Sequence, residues 1–256
     1  MHREFATPAL VLRTRPYGES DRIVTLITEQ HGKLVGIAKG AKNSRRRFAG
    51  TLEPFVLIRA VFRQRASSDL AFLLRCELIG MLRAFTRDLD RFAAGSYVLE
   101  LTDRMVVGRE SGKEVYGLVH DALTLIDGGA SCDPVLRAFE LHLLTTCGYA
   151  PPLDRCGGCA RPSDGTENFY LAIDRGGLVC RACVRPNERV RPVSAATTAE
   201  LARLAANPLA EAGEDRASLT EAAAVTATLF EAITPGQLHA RGFMARARVD
   251  SREGVR

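Results

Sequence analysis

The sequence predicts a multidomain α+β chain, in which a small five-stranded barrel is followed by a helical domain carrying a cysteine-bearing insertion. Three observations lead there. Residues 1–80 carry short runs of β-branched and aromatic residues separated by turn residues. From about residue 88 the apolar period lengthens to that of a helix, and four cysteines in two close pairs occupy a Pro-, Gly-, Cys- and Arg-rich stretch over 151–192.

Taken in order, Ala9-Leu10-Val11-Leu12 leads to a Pro16-Tyr17-Gly18 turn, and Ile23-Val24-Thr25-Leu26-Ile27 leads to His31-Gly32. Leu34-Val35-Gly36-Ile37-Ala38 follows, then a polar loop from Lys39 to Gly50, then strands over Phe55–Phe62 and Leu70–Cys76. No helical stretch between them is long enough for a parallel crossover, so the strands form an antiparallel barrel or sandwich, and the count of five fits a barrel of the OB type.

Beyond residue 88, Ala94, Val98, Leu101 and Met105 recur at helical spacing, as do Val115, Leu118, Ala122 and Leu125. The second of these helices is expected to open on the capping box Ser111-Gly112-Lys113-Glu114 and to close at Gly128-Gly129. A third begins at Asp133-Pro134, as cap and first-turn proline, carries Leu136, Phe139, Leu143 and Cys147 on one face, and stops at Gly148. After the insertion, Thr197-Thr198-Ala199-Glu200 and Ser218-Leu219-Thr220-Glu221 read as capping boxes, the latter ahead of Val225, Leu229 and Ile233. The expected divisions are an OB-fold domain over 1–80, helical segments over 81–150 and 193–256, and the insertion over 151–192. The tail from Pro235 is basic.

With 46% apolar and 25% charged residues in 256, the chain has material for packed cores, which excludes disorder as a whole. No apolar run approaches the ~20 residues of a membrane span, and the start, Met1-His2-Arg3-Glu4-Phe5, has no long apolar stretch, so a cytoplasmic, nucleoid-associated protein is expected. The net charge of +5 is uneven: residues 1–80 hold 14 Lys or Arg against 7 Asp or Glu, whereas the remainder holds 21 against 23. A local excess of this kind suits a polyanion such as nucleic acid.

Cys156-Gly157-Gly158-Cys159 and Cys180-Arg181-Ala182-Cys183 make two C-x2-C pairs twenty residues apart, the spacing of a four-thiolate zinc site. Two intervening residues let both sulfurs of a pair reach one tetrahedral ion, and the Gly-Gly relieves the tight turn. Phe169–Ile173 and Gly177-Leu178-Val179 read as a small hairpin joining the knuckles, as in zinc ribbons. Four cysteines saturate the ion, whereas a catalytic zinc keeps a position open for water, so one structural Zn²⁺ is expected. Cys76, Cys132 and Cys147 lie in apolar patterns and read as small buried hydrophobes.

The loop Lys39-Gly40-Ala41-Lys42-Asn43-Ser44-Arg45-Arg46-Arg47-Phe48 places five cations within nine residues, a flexible arm suited to phosphates. Phe48 is assigned as a stacking platform for bases, packing into the barrel being the alternative. With Lys33, the expected DNA-contacting set is Lys33, Lys39, Lys42, Arg45, Arg46, Arg47 and Phe48.

The chain also resembles the bacterial RecO family. The residues that carry the resemblance are Tyr17-Gly18-Glu19-Ser20-Asp21, Ile23-Val24-Thr25-Leu26, His31-Gly32-Lys33-Leu34, Ile37-Ala38-Lys39-Gly40-Ala41-Lys42 and Leu52-Glu53-Pro54-Phe55, with Cys147-Gly148-Tyr149 and Pro151 ahead of the paired-cysteine insert. Gly236-Gln237-Leu238-His239 matches the family's C-terminal helix only loosely. The resemblance implies an OB-fold on a helical domain that binds single- and double-stranded DNA and anneals complementary strands. It further implies work with RecR, and in some organisms RecF, to load RecA onto DNA coated by single-strand-binding protein. The residues alone leave a second reading open, a zinc-ribbon adaptor of transcription or translation that touches RNA. Clustered carboxylates, His ligands near the cysteines and a phosphate-cradling Gly-rich loop are all missing, so no enzyme activity is expected.

Overall fold

A β-strand can close a small barrel only if it bends, and the first strand supplies the bend. A computed structural model describes residues 2–65, 70–108, 112–163, 165–214, 216–234, 236 and 238–244, in two units: Met1–Gly128 with Leu238–Arg256, and Gly129–Gln237. In the first unit, β1 (His2–Tyr17), β2 (Asp21–Thr28), β3 (Gly32–Ala38), β4 (Val56–Arg65) and β5 (Leu70–Met81) form a closed barrel in the order β1-β2-β3-β5-β4. The N-terminal part of β1 pairs with β4 and its C-terminal part with β2, and a register shift between Val11 and Arg13 marks the bend. β3 and β5 pair in parallel, against the wholly antiparallel expectation, while the other pairings are antiparallel.

Alternate residues of the strands point inward. Val11, Leu26, Leu34, Ile58, Phe62 and Leu73 fill the barrel, each nearly or fully buried. At ~25 cal/mol per Å² of apolar surface, each large side chain so buried contributes about 1.5–3 kcal/mol. β1 and β5 run well past their expected limits. The far end of β5 was concealed because Leu78, Ile79 and Met81 are all exposed rather than alternately buried.

α1 (Leu89–Met105) starts at Asp88, whose carboxylate accepts a hydrogen bond from the Arg91 N–H, and Ala94, Val98, Leu101 and Met105 are buried as expected. α2 (Gly112–Asp127) buries a stripe rotated from the expected one: Val115, Val119, Ala122 and Ile126 face inward, while Leu118 and Leu125 are only half-buried. Both stripes satisfy helical spacing, and packing against α1, β2 and β3 selects one. At the start of α2 a Cβ on Gly112 would lie 2.4 Å from the Gly32 Cα, so only glycine permits this approach. The Ser111 cap lies outside the described residues. Residues 239–244 are helical, and their first N–H groups, from His239 and Ala240, donate to the two oxygens of Glu100 at 3.0 and 2.7 Å. The rest of the basic tail, 245–256, lies outside the described residues, as do Pro235 and Gln237.

In the second unit α3 (Cys132–Thr146) is buried along most of its length, including Leu136, Phe139 and Leu143, and ends at Gly148 with φ +86°. It begins one residue before Asp133, with Ser131 rather than Asp133 at the N-cap. A three-stranded sheet follows in the order β7-β6-β8, built from β6 (Phe169–Ala172), β7 (Gly177–Val179) and β8 (Val190–Val193). The β6–β7 hairpin was expected and β8 was not, since a four-residue strand containing Pro192 gives little signal.

Two expected capping boxes are rearranged. α4 (Ala195–Ala206) is capped by Ser194, which accepts from the Thr197 N–H, so Thr197 is the third helical residue and not the cap. α5 (Ser218–Ile233) has Ala217, not Ser218, at its N-cap and so no side-chain cap, and Glu221 reaches to the Ser194 N–H and to the Ser194 and Thr197 hydroxyls. Tertiary proximity gives that carboxylate three donors from two residues. Among the described residues, no helix is long and apolar enough to cross a membrane.

Candidate metal centre and nucleic-acid interface

The basic loop lies in the first unit. Two glycine-containing segments of the sequence meet at its base: the Gly40 N–H donates to Asp21 Oδ1 at 2.8 Å, the Lys42 N–H to the Ser20 carbonyl at 3.0 Å, and Lys42 Nζ to the Gly18 carbonyl at 2.8 Å. The Gly40 N–H, with the nearby Ser20 hydroxyl and Lys39 and Lys42 charges, holds the Asp21 carboxyl below its ordinary range despite the opposing effect of desolvation. Asp21 therefore anchors the loop, a role that spacing within either segment could not reveal. At the other end the Cys76 N–H donates to the Arg47 carbonyl at 2.9 Å.

Between these anchors the cations are exposed. Arg47 donates to the Lys39 carbonyl at 2.7 Å, and Lys39 Nζ lies 5.8 Å from the centre of the Phe72 ring. Arg45 and Arg46 form no hydrogen bond or ion pair with any described residue. Beside the loop, a cleft of about 350 Å³ is lined by Arg13, Thr14, Arg22, Lys42, Glu53 and Pro54, and its two guanidiniums are already paired, Arg22 with Glu53 at 3.6 Å and Arg13 with Asp103.

Two members of the expected set are placed differently. Phe48 is 4% exposed and belongs to the barrel core, with the Arg47 guanidinium 5.1 Å from its ring centre; it is a packed residue, not a stacking platform. Ending a polar loop, it is the apolar side chain available to seal the barrel there, and hydrophobic burial decides its position. Lys33 does not join the loop's cations: its ammonium pairs with Asp103 at 2.8 Å and donates to the Val106 carbonyl at 3.2 Å, largely shielded from water. Arg13 also pairs with Asp103, at 3.1 Å.

In the second unit the Sγ atoms of Cys156, Cys159, Cys180 and Cys183 all lie within 4.8 Å of one another. Cys159 and Cys180 are 3.8 Å apart, which matches the edge of about 3.8 Å that a Zn–S length of ~2.3 Å gives a tetrahedron. The Gly158 and Cys180 N–H groups donate to the Cys156 sulfur, each at 3.3 Å. Burial works to raise the Cys156 thiol, but these N–H donors and its neighbours bring it down to about 6. The Cys183 thiol is pushed up to about 12 by hydrogen bonds with the other three sulfurs. Thiols this crowded cannot all ionise without a cation among them. A Cβ on Gly158 would stand 2.9 Å from the Cys183 sulfur, so glycine keeps the cavity clear. The donor set fits zinc. Of the other cysteines, Cys76 is buried and its thiol is pushed up to about 12 chiefly by desolvation, whereas Cys132 and Cys147 are half-buried rather than buried.

The profile described as Recombination protein O N terminal matches residues 1–82, and that described as Recombination protein O C terminal matches residues 86–239. The chain belongs to the RecO family. Its relatives include the "DNA repair protein RecO" of Anaeromyxobacter sp. (strain K), 39% identical over 207 residues, 80% of this chain and 81% of the relative. That of Syntrophus aciditrophicus (strain SB) is 38% identical over 177 residues, 69% of this chain and 68% of the relative. That of Myxococcus xanthus (strain DK1622) is 38% identical over 183 residues, 71% and 74% respectively. The first RecO match spans the barrel and its loop, and the second spans all four cysteines.

Proposed function

We propose that this RecO-family chain is a non-enzymatic mediator of DNA repair that binds single- and double-stranded DNA, anneals complementary strands and helps load recombinase onto DNA coated by single-strand-binding protein. The observation that carries the reading is the exposed guanidinium-rich loop on an OB-type barrel in a member of a recombination family. Arg45 and Arg46 are available to phosphates, and a barrel of this kind suits single strands. RecR, single-strand-binding protein, RecF and RecA are the proposed partners, and the cytoplasmic nucleoid is the proposed setting.

In this reading one Zn²⁺ is held by Cys156, Cys159, Cys180 and Cys183 and serves the fold. Zinc would supply cross-linking and charge neutralisation, and four sulfurs would leave no ligand position for an activated water. The cysteines' own part is to close the ribbon, since the metal's binding energy is folding energy for a segment with little core of its own.

The experiment is an annealing assay with complementary oligonucleotides, bare and coated with single-strand-binding protein, alongside a pull-down with RecR. Faster annealing than the uncatalysed rate, together with RecR capture, is expected. Failure on bare DNA would refute the annealing role. Annealing of RNA alone would favour an RNA adaptor.

A further inference from the structure

The metal centre's second knuckle is poorly supported by its own backbone. Cys180 follows β7, but Cys183 sits at the end of a three-residue 3₁₀ turn, and the chain from there to β8 has no regular structure. Among the described residues, the backbone bonds near Cys183 are short-range, such as the Cys183 N–H to the Cys180 carbonyl at 2.9 Å, and the loop's backbone is tied to the rest of the ribbon at its far end, where the Ile173 N–H donates to the Arg189 carbonyl at 3.0 Å. Something must keep Cys183 in reach of the other sulfurs.

Arg175, at the turn between β6 and β7, reaches across to it. Its Nε donates to Glu188 Oε1 at 2.6 Å and its Nη2 to Glu188 Oε2 at 2.7 Å, a two-pronged pair. The same Nη2 donates to the Cys183 carbonyl at 3.1 Å. Glu188 in turn accepts from the Arg185 N–H at 2.9 Å. The Glu188 side chain is 7% exposed and that of Arg175 22%, so the pair is largely shielded from water and held in one geometry. Two residues from different parts of the ribbon thus fasten both ends of the loop that follows Cys183. A second pair of the same chemistry, Arg189 with Asp174, lies close by but is largely exposed and has no bond to a cysteine.

We propose that Arg175, acting with Glu188, is a positioning residue of the metal centre: by holding the Cys183 carbonyl it fixes the second thiolate pair for the metal and sets how slowly the metal leaves. The inference rests on the zinc reading above. Arginine is suited to the task because its planar fork fills both carboxylate oxygens and still has an N–H for the carbonyl. Lysine offers a point charge on a flexible stem and cannot hold all three acceptors in one plane. Removing the fork leaves Glu188 shielded without its cation and Cys183 without its outer support. Outer-shell partners of this kind typically change metal affinity about 10–100-fold.

The test uses the full-length chain. Zinc content is first measured by elemental analysis, and release into a chromophoric chelator is then timed for wild type, Arg175→Ala, Arg175→Lys, Glu188→Gln and Arg189→Ala. Wild type should contain one zinc per chain, and Arg175→Ala should release it about 10–100 times faster. Arg175→Lys and Glu188→Gln should fall between, and Arg189→Ala should match wild type. In the cobalt-substituted protein the absorption bands of a four-thiolate tetrahedral centre should broaden or weaken in Arg175→Ala and recover in part in Arg175→Lys. If Arg175→Ala does not fold, the Arg175→Lys and Glu188→Gln rates decide. Release within twofold of wild type in the folded variants overturns the positioning role. Equal acceleration in Arg189→Ala overturns it too, by showing general loosening of the ribbon. A wild-type chain without zinc overturns the metal reading itself.

Discussion

Replacing Arg45 and Arg46 together by Ala isolates the two loop cations that have no partner among the described residues. Lys42 and Arg47 are fastened to backbone carbonyls, so removing them would disturb the loop as well as its charge. If each of the two guanidiniums neutralises one phosphate of a single strand, the log–log salt slope should become shallower by about 1.4, at ~0.7 per contact. Counterion release at ~0.15 M salt is then worth roughly 0.8 kcal/mol per contact, so the pair contributes about 1.6 kcal/mol, or roughly fifteenfold in affinity. Anisotropy of a labelled mixed-sequence oligonucleotide, titrated from about 50 to about 200 mM salt, measures both quantities. Because both side chains are exposed, the unfolding free energy should move by less than about 0.5 kcal/mol. Unchanged slope and affinity in a folded double variant would refute the argument and send the DNA path elsewhere.

Phe48→Ala should cost about 3–5 kcal/mol in urea unfolding, because the ring is a core residue; a variant of unaltered stability that had lost only DNA affinity would restore the stacking role. Lys33→Ala should destabilise the fold by about 1–3 kcal/mol, towards the lower end because Arg13 still pairs with Asp103, and should leave the salt slope alone; a shallower slope would mean that Lys33 reaches DNA. Glu221 predicts a pH effect. Burial works to raise its carboxyl, but the Ser194 and Thr197 hydroxyls, the Ser194 N–H and the Arg191 charge outweigh it, so its pKa lies below the ordinary 4.5. A carboxylate lowered in the fold contributes stability above about pH 4.5 and loses it as the pH falls through the folded value. Glu221→Gln should therefore be less stable than wild type at pH 7, and the gap should narrow on acidification below that point. A gap that does not change with pH would show that the charge contributes nothing.

By itself the sequence determined what depends on neighbours along the chain. Runs of β-branched and aromatic residues bounded by turn residues over 9–38 and 55–76 located the barrel strands, since such side chains suit a pleated surface and the turn residues punctuate it. The two C-x2-C pairs located the four-cysteine cluster, because a tight turn brings both sulfurs of a pair to one side. The cluster of cations from Lys39 to Arg47 was equally legible, and so was the end of α3 at Gly148.

Only the tertiary structure decided choices among locally equal alternatives. Val119 and Ile126 of α2 face inward rather than Leu118 and Leu125 because packing on α1, β2 and β3 selects one of two stripes with the same period. Phe48 closes the barrel and Lys33 pairs with Asp103, seventy positions away in sequence, because burial and charge pairing act on whatever the fold brings near. Glu221 caps Ser194 rather than its own helix, and Arg175 meets Glu188 and Cys183, for the same reason. Hydrogen bonds and ion pairs form between groups adjacent in space, and that adjacency exists only once the strands and helices have packed.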